Sequence, residues 1–412
     1  MEHHSSHPFE SVMIDRSGSP SPLPLHLHNA HVTIQHACMM SPVADQYGLA
    51  PHQKMNPAQG AVLTEGLSRL RKMLDGIDAY QIHPFERRMS EPPVIWSDGA
   101  TRLLDYGQSP EATHPVGRPI LVLPSMINRA YVLDLTPEHS FLRQLAAKGL
   151  RPLLLDWGAP GPDERVISLD EILGKRLRPA LAIARAIGGQ PALVLGYCMG
   201  GTLGTALAAN ASADVQALIT IGTPWAFDQR IWSTMQLAEG VGGDGGLSLR
   251  LGLRSLGAVL GVIPNLLFQS LFANLDPTGA LRKFRQFNEL DPSSDTARHF
   301  VAVEDWLNAG PDIPTAIAET VLVDWHLLNT PGKGQWRALG RPVDPSRITQ
   351  PTLCLCASSD RIAPPGSTSA LAAAIPDATL LRPKTGHVGM VVGRRAQAEV
   401  IEPIAAFCAK LR

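Results

Sequence analysis

The chain has 412 residues and a formal net charge of −1 at pH 7. This length has room for one large domain with an insertion, or for two domains. This balanced charge indicates neither a basic surface that would attract nucleic acid nor an acidic tail. No window is apolar over the roughly 20 residues that a membrane span requires, and the nearest, 256–272, contains Pro264. We therefore predict neither a nucleic-acid partner nor a transmembrane segment.

The five cysteines are an odd number and follow no spacing typical of a disulfide scaffold. The first eight residues are polar and rich in histidine, without the apolar stretch of a secretion signal. Together these features predict a cytoplasmic protein, because free thiols persist in a reducing compartment.

Residues 1–60 contain eight of the 14 histidines among scattered serine, proline and methionine, with no sustained periodicity. This composition predicts a disordered or loosely attached extension. Histidines can bind metal, but a flexible polar tail explains these with fewer assumptions, and we predict no metal site. The four considered as ligands are His26, His28, His31 and His36.

An amphipathic helix and a hairpin follow the extension. Residues 65–80 show apolar side chains at helical spacing. Residues 94–96 and 101–106 flank a turn that contains Gly99, a pattern typical of an antiparallel hairpin. The apolar positions of the helix are Leu67, Leu70, Met73 and Leu74.

Beyond the hairpin, strands alternate with helices. Thr136 opens a helix that ends at Gly149, and Ser168 and Glu171 form a capping box for the next one. This alternation predicts an α/β fold, a mostly parallel sheet with helices on both faces. We assign residues 61–224 and 331–412 to this core. The predicted strands are 119–123, 153–155, 192–195, 217–221, 352–356 and 379–381.

Between residues 225 and 330 the strand pattern gives way to glycine-rich turns and apolar helical segments such as 266–268. We interpret this region as a mainly helical cap inserted into the core. Because the insertion leaves the sheet after the strand 217–221, it would emerge near the carboxyl ends of the strands, where α/β folds place their sites. The cap would then control access to that site.

The segment Gly196-Tyr197-Cys198-Met199-Gly200-Gly201 lies between the predicted strand 192–195 and a helix pattern of small residues. This is typical of a nucleophile elbow, in which a strand turns sharply into a helix and the central side chain projects from the bend. The helix start supplies free N–H groups and a positive dipole end, which favour a thiolate. We predict Cys198 as the nucleophile. The alternative is a buried structural cysteine beside a tight turn.

A cysteine nucleophile needs a base, because a free thiol is only slightly ionised at neutral pH. His387 is the best candidate, since it lies in a glycine-flanked turn directly after the last predicted strand. Asp360 follows the strand 352–356 and would hold the imidazole in one tautomer. The order nucleophile, acid, histidine is that of α/β-hydrolases.

The expected oxyanion hole uses backbone N–H groups. One belongs to Met199, the residue after the nucleophile, and the second comes from the loop after the first parallel strand, with Met126 and Ile127 as candidates. No bound cofactor is indicated.

These motifs together resemble the polyhydroxyalkanoate synthases, particularly the type whose catalytic subunit works with a second subunit. The elbow is similar to that family's lipase-like box, which has cysteine in place of serine. The segments 124–135, 359–365 and 386–389 resemble those that carry its second oxyanion donor, its aspartate and its histidine. Residues 272–277 and 303–307 also look similar, and the resemblance runs from about Pro92 to the C terminus.

The resemblance implies an acyltransferase that polymerises (R)-3-hydroxyacyl-CoA into polyhydroxyalkanoate and releases CoA, through an acyl-cysteine on Cys198. The CoA thioester would be a substrate and not a cofactor. The implied partners are a second synthase subunit, a polymer granule surface, or a second copy in a homodimer. Two alternatives stay open: a depolymerase or thioesterase with the same triad, and an inactive granule-associated protein that docks through 256–272.

Overall fold

The computed structural model describes residues 15–39, 57–227 and 244–411. These residues fall into two compact units. The first comprises the described residues of Arg88–Asn265 and Ala309–Arg412, and the second those of Ser11–Arg87 and Leu266–Asn308.

A mixed sheet organises the first unit. Its strands are β1 Val94–Asp98, β2 Thr101–Asp105, β3 Arg118–Leu123, β4 Leu150–Asp156, β5 Ala192–Tyr197, β6 Val215–Ile221, β9 Thr352–Leu355 and β10 Thr379–Leu381, and a separate pair is formed by β7 Arg337–Ala338 and β8 Arg341–Pro342. The order across the sheet is β1-β2-β4-β3-β5-β6-β9-β10. The hairpin β1–β2 and the pair β2–β4 are antiparallel, and the pairs from β4 to β10 are parallel. The predicted hairpin and mostly parallel sheet are confirmed.

The central strands are buried almost throughout, and every residue of β5 is buried. Strands covered on both faces read as continuous apolar runs, because neither face meets water. Helices pack directly on this sheet: Arg178–Gly188 contacts β3 and β5, and Met199–Asn210 contacts β5 and β6. The α/β fold class is therefore confirmed.

The starts of two helices in the first unit can be compared with the starts that the capping residues predict. The capping box of Ser168 and Glu171 is present. The helix predicted to open at Thr136 begins instead at Phe141, because the Ser140 side chain accepts the N–H of Arg143 and caps it there. The helical segments are Phe141–Ala147, Leu169–Glu171, Arg178–Gly188, Met199–Asn210, Leu247–Leu260, Thr315–Glu319, Pro365–Ala374, Gly389–Val392 and Glu402–Lys410, with π-helical turns at Ile172–Leu177, Thr320–Leu327 and Gln397–Ile401.

The second unit is helical. The predicted helix 65–80 is confirmed and is longer, but Leu67 and Leu74 are 52% and 40% exposed. The buried stripe is formed by Met73, Ile77 and Tyr80, spaced four and three residues apart, as expected for one face of a helix. The helices are Leu23–Met39, Pro57–Gln81, Gly279–Phe287 and Asp295–Asn308, and Asn265–Leu275 begins in the first unit and continues into the second.

Part of the predicted extension is well structured. Residues 1–14 and 40–56 lie outside the described residues, but Leu23–Met39 form a helix where the prediction had disorder or loose attachment. Ahead of it, Arg16 donates to both carboxylate oxygens of Asp305, at 2.7 and 2.6 Å. A bidentate pair of this kind is strong and directional. The polar composition of residues 1–60 gave no indication of this long-range contact.

The described part of the predicted cap is mainly helical, and residues 228–243 lie outside the described residues. Its residues 266–308 group with the second unit, whereas 244–265 and 309–330 group with the sheet. The boundaries of the predicted cap stay a prediction. Within the part of the chain that the structure describes, no helix is long and apolar enough to cross a membrane.

Candidate active site

Cys198 lies at a sharp bend between β5 and the helix Met199–Asn210, called here the elbow helix. Its backbone has φ 54° and ψ −127°, a conformation that side-chain-bearing residues rarely adopt. The bend is held by the Cys198 N–H, which donates to the carbonyl of Ile221 at 2.8 Å. The side chain is half-buried. The predicted elbow geometry is therefore present.

The elbow helix packs against backbone on the next strand. A Cβ at Gly200 would lie 1.9 Å from the carbonyl oxygen of Leu123, at the end of β3. Such an approach is open only to glycine. It places the elbow beside the loop that follows β3, which is the loop predicted to carry the second oxyanion donor.

His387 and Asp360 form a buried pair. His387 Nδ1 lies 2.6 Å from Asp360 Oδ2, and the residues are 6% and 4% exposed. The other carboxylate oxygen, Oδ1, accepts the backbone N–H groups of Ile362 and Ala363, each at 2.8 Å. Both oxygens are therefore occupied, so the carboxylate cannot turn away from the imidazole without losing hydrogen bonds.

The electrostatics of this pair favour an imidazolium. Burial lowers the pKa of His387, but the charges of Asp360 and Cys198 and hydrogen bonds to both outweigh burial and raise it to about 10. At neutral pH the ring is therefore protonated. A positive neighbour of this kind favours a reactive thiolate. The structure thus brings Cys198, Asp360 and His387 together, as predicted.

Tyr197 adds an aromatic wall to this site. Its ring centroid lies 5.1 Å from that of His387, with the planes inclined by 34°. Burial, followed by the charges of Cys198 and Asp360, raises the pKa of Tyr197 well above its ordinary value. The phenol therefore stays neutral, and its contribution at neutral pH is packing.

Gly222 is a functional position that the sequence analysis missed. It follows β6 with φ 55°, and a Cβ there would come within 3.0 Å of His387 Nδ1 and 2.7 Å of the Met390 methyl group. A side chain would be strained by the backbone and would collide with the imidazole. The available signal was a glycine directly after a buried strand, on the sheet edge where the other site residues were expected.

Several long-range hydrogen bonds hold the loop after β3, including that from Arg129 Nε to the carbonyl of Ala309 at 3.1 Å. Trp157 Nε1 donates to the Pro124 carbonyl at 3.1 Å, and Asn265 Nδ2 donates to the Ile127 carbonyl at 2.8 Å. The N–H of Ile127 already donates to Ser125 Oγ at 3.3 Å, which leaves Met126 as the better-placed candidate from this loop. The roles of the three oxyanion candidates stay predictions, with Met199 at the positive start of the elbow helix.

Three further cysteines, Cys354, Cys356 and Cys408, are buried packing residues. Burial raises the pKa of Cys354 and that of Cys408 to about 11, so both stay thiols at neutral pH. His326 is also unsuited to accept a proton there, because burial lowers its pKa to about 4 and its Nδ1 lies 2.7 Å from the Val321 carbonyl. Among the described residues, no group of three or more His, Cys, Asp or Glu is arranged to hold a metal.

Comparison with known proteins gives the family. The family model described as "alpha/beta hydrolase fold" matches residues 118–393. The model described as "Poly-beta-hydroxybutyrate polymerase (PhaC) N-terminus" matches residues 50–145. The two matches overlap and together run from the second unit across the sheet to the loop that carries His387.

Three relatives share the name poly(3-hydroxyalkanoate) polymerase subunit PhaC. The protein of Haloferax mediterranei is 27% identical over 74% of this chain and 61% of its own length. That of Haloarcula marismortui is 27% identical over 70% of this chain and 60% of its own. That of Allochromatium vinosum is 26% identical over 82% of this chain and 94% of its own. The chain thus spans about three fifths of the two archaeal relatives. It belongs to the α/β-hydrolase fold family and, within that fold, is similar to the poly(3-hydroxyalkanoate) polymerases.

Proposed function

We propose that this protein is an acyltransferase that joins (R)-3-hydroxyacyl groups from CoA into a polyester and releases CoA. The observation that carries the proposal is a cysteine at the elbow, interacting with an imidazole that a buried carboxylate holds. The family relationship points the same way, since the three relatives are named as polymerases of 3-hydroxyalkanoates.

In the first step, the Cys198 thiolate attacks the thioester carbonyl while its proton resides on His387. The carbonyl oxygen becomes an oxyanion, for which we propose the N–H groups of Met199 and Met126 as donors. The intermediate collapses, the bond to the CoA sulfur breaks, and the leaving thiolate takes the proton from His387. An acyl-cysteine remains. Exchange of one thioester for another is nearly thermoneutral, which suits cysteine better than serine.

In the second step, neutral His387 accepts the proton of a 3-hydroxyl group, whose oxygen attacks the acyl-cysteine. An ester bond forms, the Cys198 sulfur leaves as a thiolate, and the proton on His387 restores the starting pair. Asp360 stabilises the imidazolium in both steps. All protons and leaving groups are accounted for by these three side chains, so the proposal needs no bound metal or cofactor.

The decisive experiment separates polymer from free acid. Purified protein is incubated with (R)-3-hydroxybutyryl-CoA, alone and with a partner synthase subunit, and CoA release and product mass are measured. The proposal expects CoA release together with ester-linked oligomers. Release of free acid alone would instead establish a thioesterase, and no CoA release under either condition would overturn the proposal. A homodimer, a second subunit and a granule surface stay predictions from the family resemblance.

Cys198→Ala tests the nucleophile directly. We expect no acyl adduct in intact-protein mass spectra, whereas Cys408→Ala should acylate normally, since Cys408 is a buried thiol outside the site. Full activity of Cys198→Ala would refute the assigned nucleophile while leaving the fold assignment intact.

A further inference from the structure

The loop that follows β3 is held on both sides of Met126. Pro124 lies two residues before it, and its carbonyl accepts the indole N–H of Trp157 at 3.1 Å. Ile127 lies directly after it, and its carbonyl accepts the side-chain amide of Asn265 at 2.8 Å. Because both flanking carbonyls are fixed, the peptide that carries the Met126 N–H has little freedom to rotate. We call Trp157 and Asn265 the loop clamp.

The N–H of Met126 has no acceptor among the described residues. The next N–H along the loop, that of Ile127, already donates to Ser125 Oγ at 3.3 Å. A donor that is oriented in advance and unpaired can bind a developing oxyanion without first breaking a hydrogen bond. The clamp therefore acts on the one of these two N–H groups that is available for catalysis.

The loop begins in contact with the elbow helix. A Cβ on Gly200, two residues after Cys198, would lie 1.9 Å from the carbonyl oxygen of Leu123 and 2.6 Å from that of Pro124. Backbone therefore lies directly against backbone here, with no side chain in between. Since the Pro124 carbonyl is also the one that Trp157 holds, the clamp fixes the loop at the point where it meets the elbow.

The amide of Asn265 is itself held by its surroundings. Its backbone N–H donates to Asp312 Oδ1 at 3.0 Å, and a Cβ on Gly310 would lie 2.4 Å from Asn265 Nδ2. Glycine at position 310 therefore allows the amide to lie directly against the backbone. Asn265 is 7% exposed, so water competes little for the N–H that it donates to Ile127.

Asn265 lies where the chain leaves the first unit, and Ala309 lies where it returns. Two backbone hydrogen bonds between Ile263 and Ile313, at 2.8 and 2.9 Å, join the two crossings. The loop after β3 is tied to both of them, because Arg129 Nε donates to the Ala309 carbonyl at 3.1 Å. The base of the helical insertion, as well as β3, thus determines where this loop lies.

We propose that Trp157 and Asn265 are positioning residues for the reaction at Cys198, which hold the Met126 N–H in the orientation that stabilises the oxyanion. The inference rests on the proposed function and on the oxyanion role proposed there for Met126. It adds the side chains that set this oxyanion hole, one of which belongs to the base of the insertion.

The test is the rate at which 4-nitrophenyl acetate acylates Cys198. This reaction forms an oxyanion but needs neither CoA nor a hydroxyl acceptor. Trp157→Phe and Asn265→Asp each remove one clamp donor and should lower the maximal rate by about 10- to 100-fold, because a misplacement of about 1 Å can cost 10²-fold. The ester concentration at half-maximal rate should stay at the wild-type value, since the lost interaction is made only in the transition state.

Each clamp variant has a matched control in the first unit. Trp325→Phe is the control for Trp157, because Trp325 is 1% exposed and its Nε1 is buried with no hydrogen-bond partner among the described residues. Asn329→Asp is the control for Asn265, because Asn329 is 6% exposed and uses its amide oxygen, which accepts the Phe227 N–H at 3.0 Å. Both controls should acylate at the wild-type rate.

A wild-type rate in both clamp variants, or an equal loss in their controls, overturns the proposal. If Asn265→Asp does not fold, Asn265→Ala removes the same donor without adding a charge.

A second reaction of Cys198 separates positioning from general damage to the site. Methyl methanethiosulfonate transfers a methylthio group to the thiolate without forming an oxyanion from a carbonyl, and the mass of the peptide that contains Cys198 reports it. The clamp variants should react at the wild-type rate. A slowing that matches their loss of acylation overturns the positioning role. If the wild type releases no CoA from (R)-3-hydroxybutyryl-CoA, the proposed function fails, and the ester and thiosulfonate rates still decide for or against the clamp.

Discussion

Gly222 lies directly against the imidazole of His387. A Cβ on Gly222 would be 3.0 Å from His387 Nδ1, the atom that faces Asp360, and 2.7 Å from the terminal methyl of Met390. The loop after β6 therefore restricts where the ring can lie. This relationship joins parts of the chain that are far apart in sequence and makes a glycine part of the site.

Gly222→Ala should lower both stability and activity. We expect a loss of about 1–3 kcal/mol in the free energy of unfolding, from a strained φ of 55° and the collision with His387, and at least a tenfold slower acylation of Cys198. Denaturant unfolding and acylation by 3-hydroxybutyryl-CoA are the measurements.

Gly189→Ala is the control for Gly222, since Gly189 has φ 64° and no atom within 4 Å of an added Cβ. It should lose about 1 kcal/mol of stability and acylate at the wild-type rate. If Gly189→Ala slows acylation as much as Gly222→Ala does, contact with His387 is not the cause.

Removing the side chain of Cys198 should relieve backbone strain. Glycine adopts φ 54° and ψ −127° without steric strain, whereas alanine is strained in this conformation. Cys198→Gly should therefore be about 1 kcal/mol more stable than Cys198→Ala, although a glycine ordinarily destabilises by increasing the entropy of the unfolded chain. Equilibrium unfolding of the two variants is the measurement, and an alanine variant that is the more stable of the two would show that the bend is relaxed.

Asp360→Asn should impair proton transfer without loosening the loop. An amide oxygen can still accept the N–H groups of Ile362 and Ala363, but the negative charge beside His387 is lost. We expect acylation to fall by about 10²–10⁴-fold. Asp344→Asn is the control, because Asp344 also accepts a backbone N–H, that of Ser346 at 3.0 Å, but lies outside the site. Wild-type acylation by Asp360→Asn would remove the carboxylate from the mechanism.

The stability of the protein should fall as the pH rises from about 7 to about 10. His387 has an ordinary pKa near 6.5 that folding raises to about 10, so the folded state binds a proton that the unfolded state releases in this window. The stabilisation is complete below pH 6.5 and is lost as the pH passes 10. In Asp360→Asn the fall should be smaller and should end at lower pH, because the main attraction for the imidazolium is gone and the pKa of the folded-state imidazole is lower. Urea unfolding across this pH range provides the measurement; curves of identical shape for the two proteins would contradict the assignment.

The site was predictable where local pattern and topology determine it. Cys198, Asp360 and His387 each follow a strand of the parallel part of the sheet, and the carboxyl ends of parallel strands meet at one edge of a sheet. Gly222 and Trp157 were not predicted, because their roles depend on which distant loops come into contact. Patterns of spacing identify elements but do not give the distances between them.

In the fold, too, features set by local sequence signals were predictable and features set by distant contacts were not. The alternating strands and the capping box of Ser168 are local signals, and both are present in the structure. The segment around Arg16 was not predicted to be ordered, because the groups that hold it are distant in sequence. They include the carboxylate of Asp305 and the carbonyls of His83 and Phe85, which accept hydrogen bonds from Arg16. The sequence predicts that one helix starts at Thr136, but in the structure it starts at Phe141. Thr136 and Ser140 both have hydroxyl groups that could cap this helix, and Ser140 is the one that accepts a helical N–H.

Tyr197 should act through its ring and not through its hydroxyl group. The hydroxyl is buried with no hydrogen-bond partner among the described residues, while the ring lies beside His387. Tyr197→Phe should therefore keep wild-type acylation and gain up to about 1 kcal/mol in stability, since an unsatisfied buried hydroxyl is costly. Tyr197→Ala should lose about 3 kcal/mol or more and should slow acylation, because the imidazole loses its aromatic neighbour. Unfolding free energies and acylation rates of the two variants check both parts, and a tenfold slower Tyr197→Phe would show instead that the hydroxyl group takes part in the reaction.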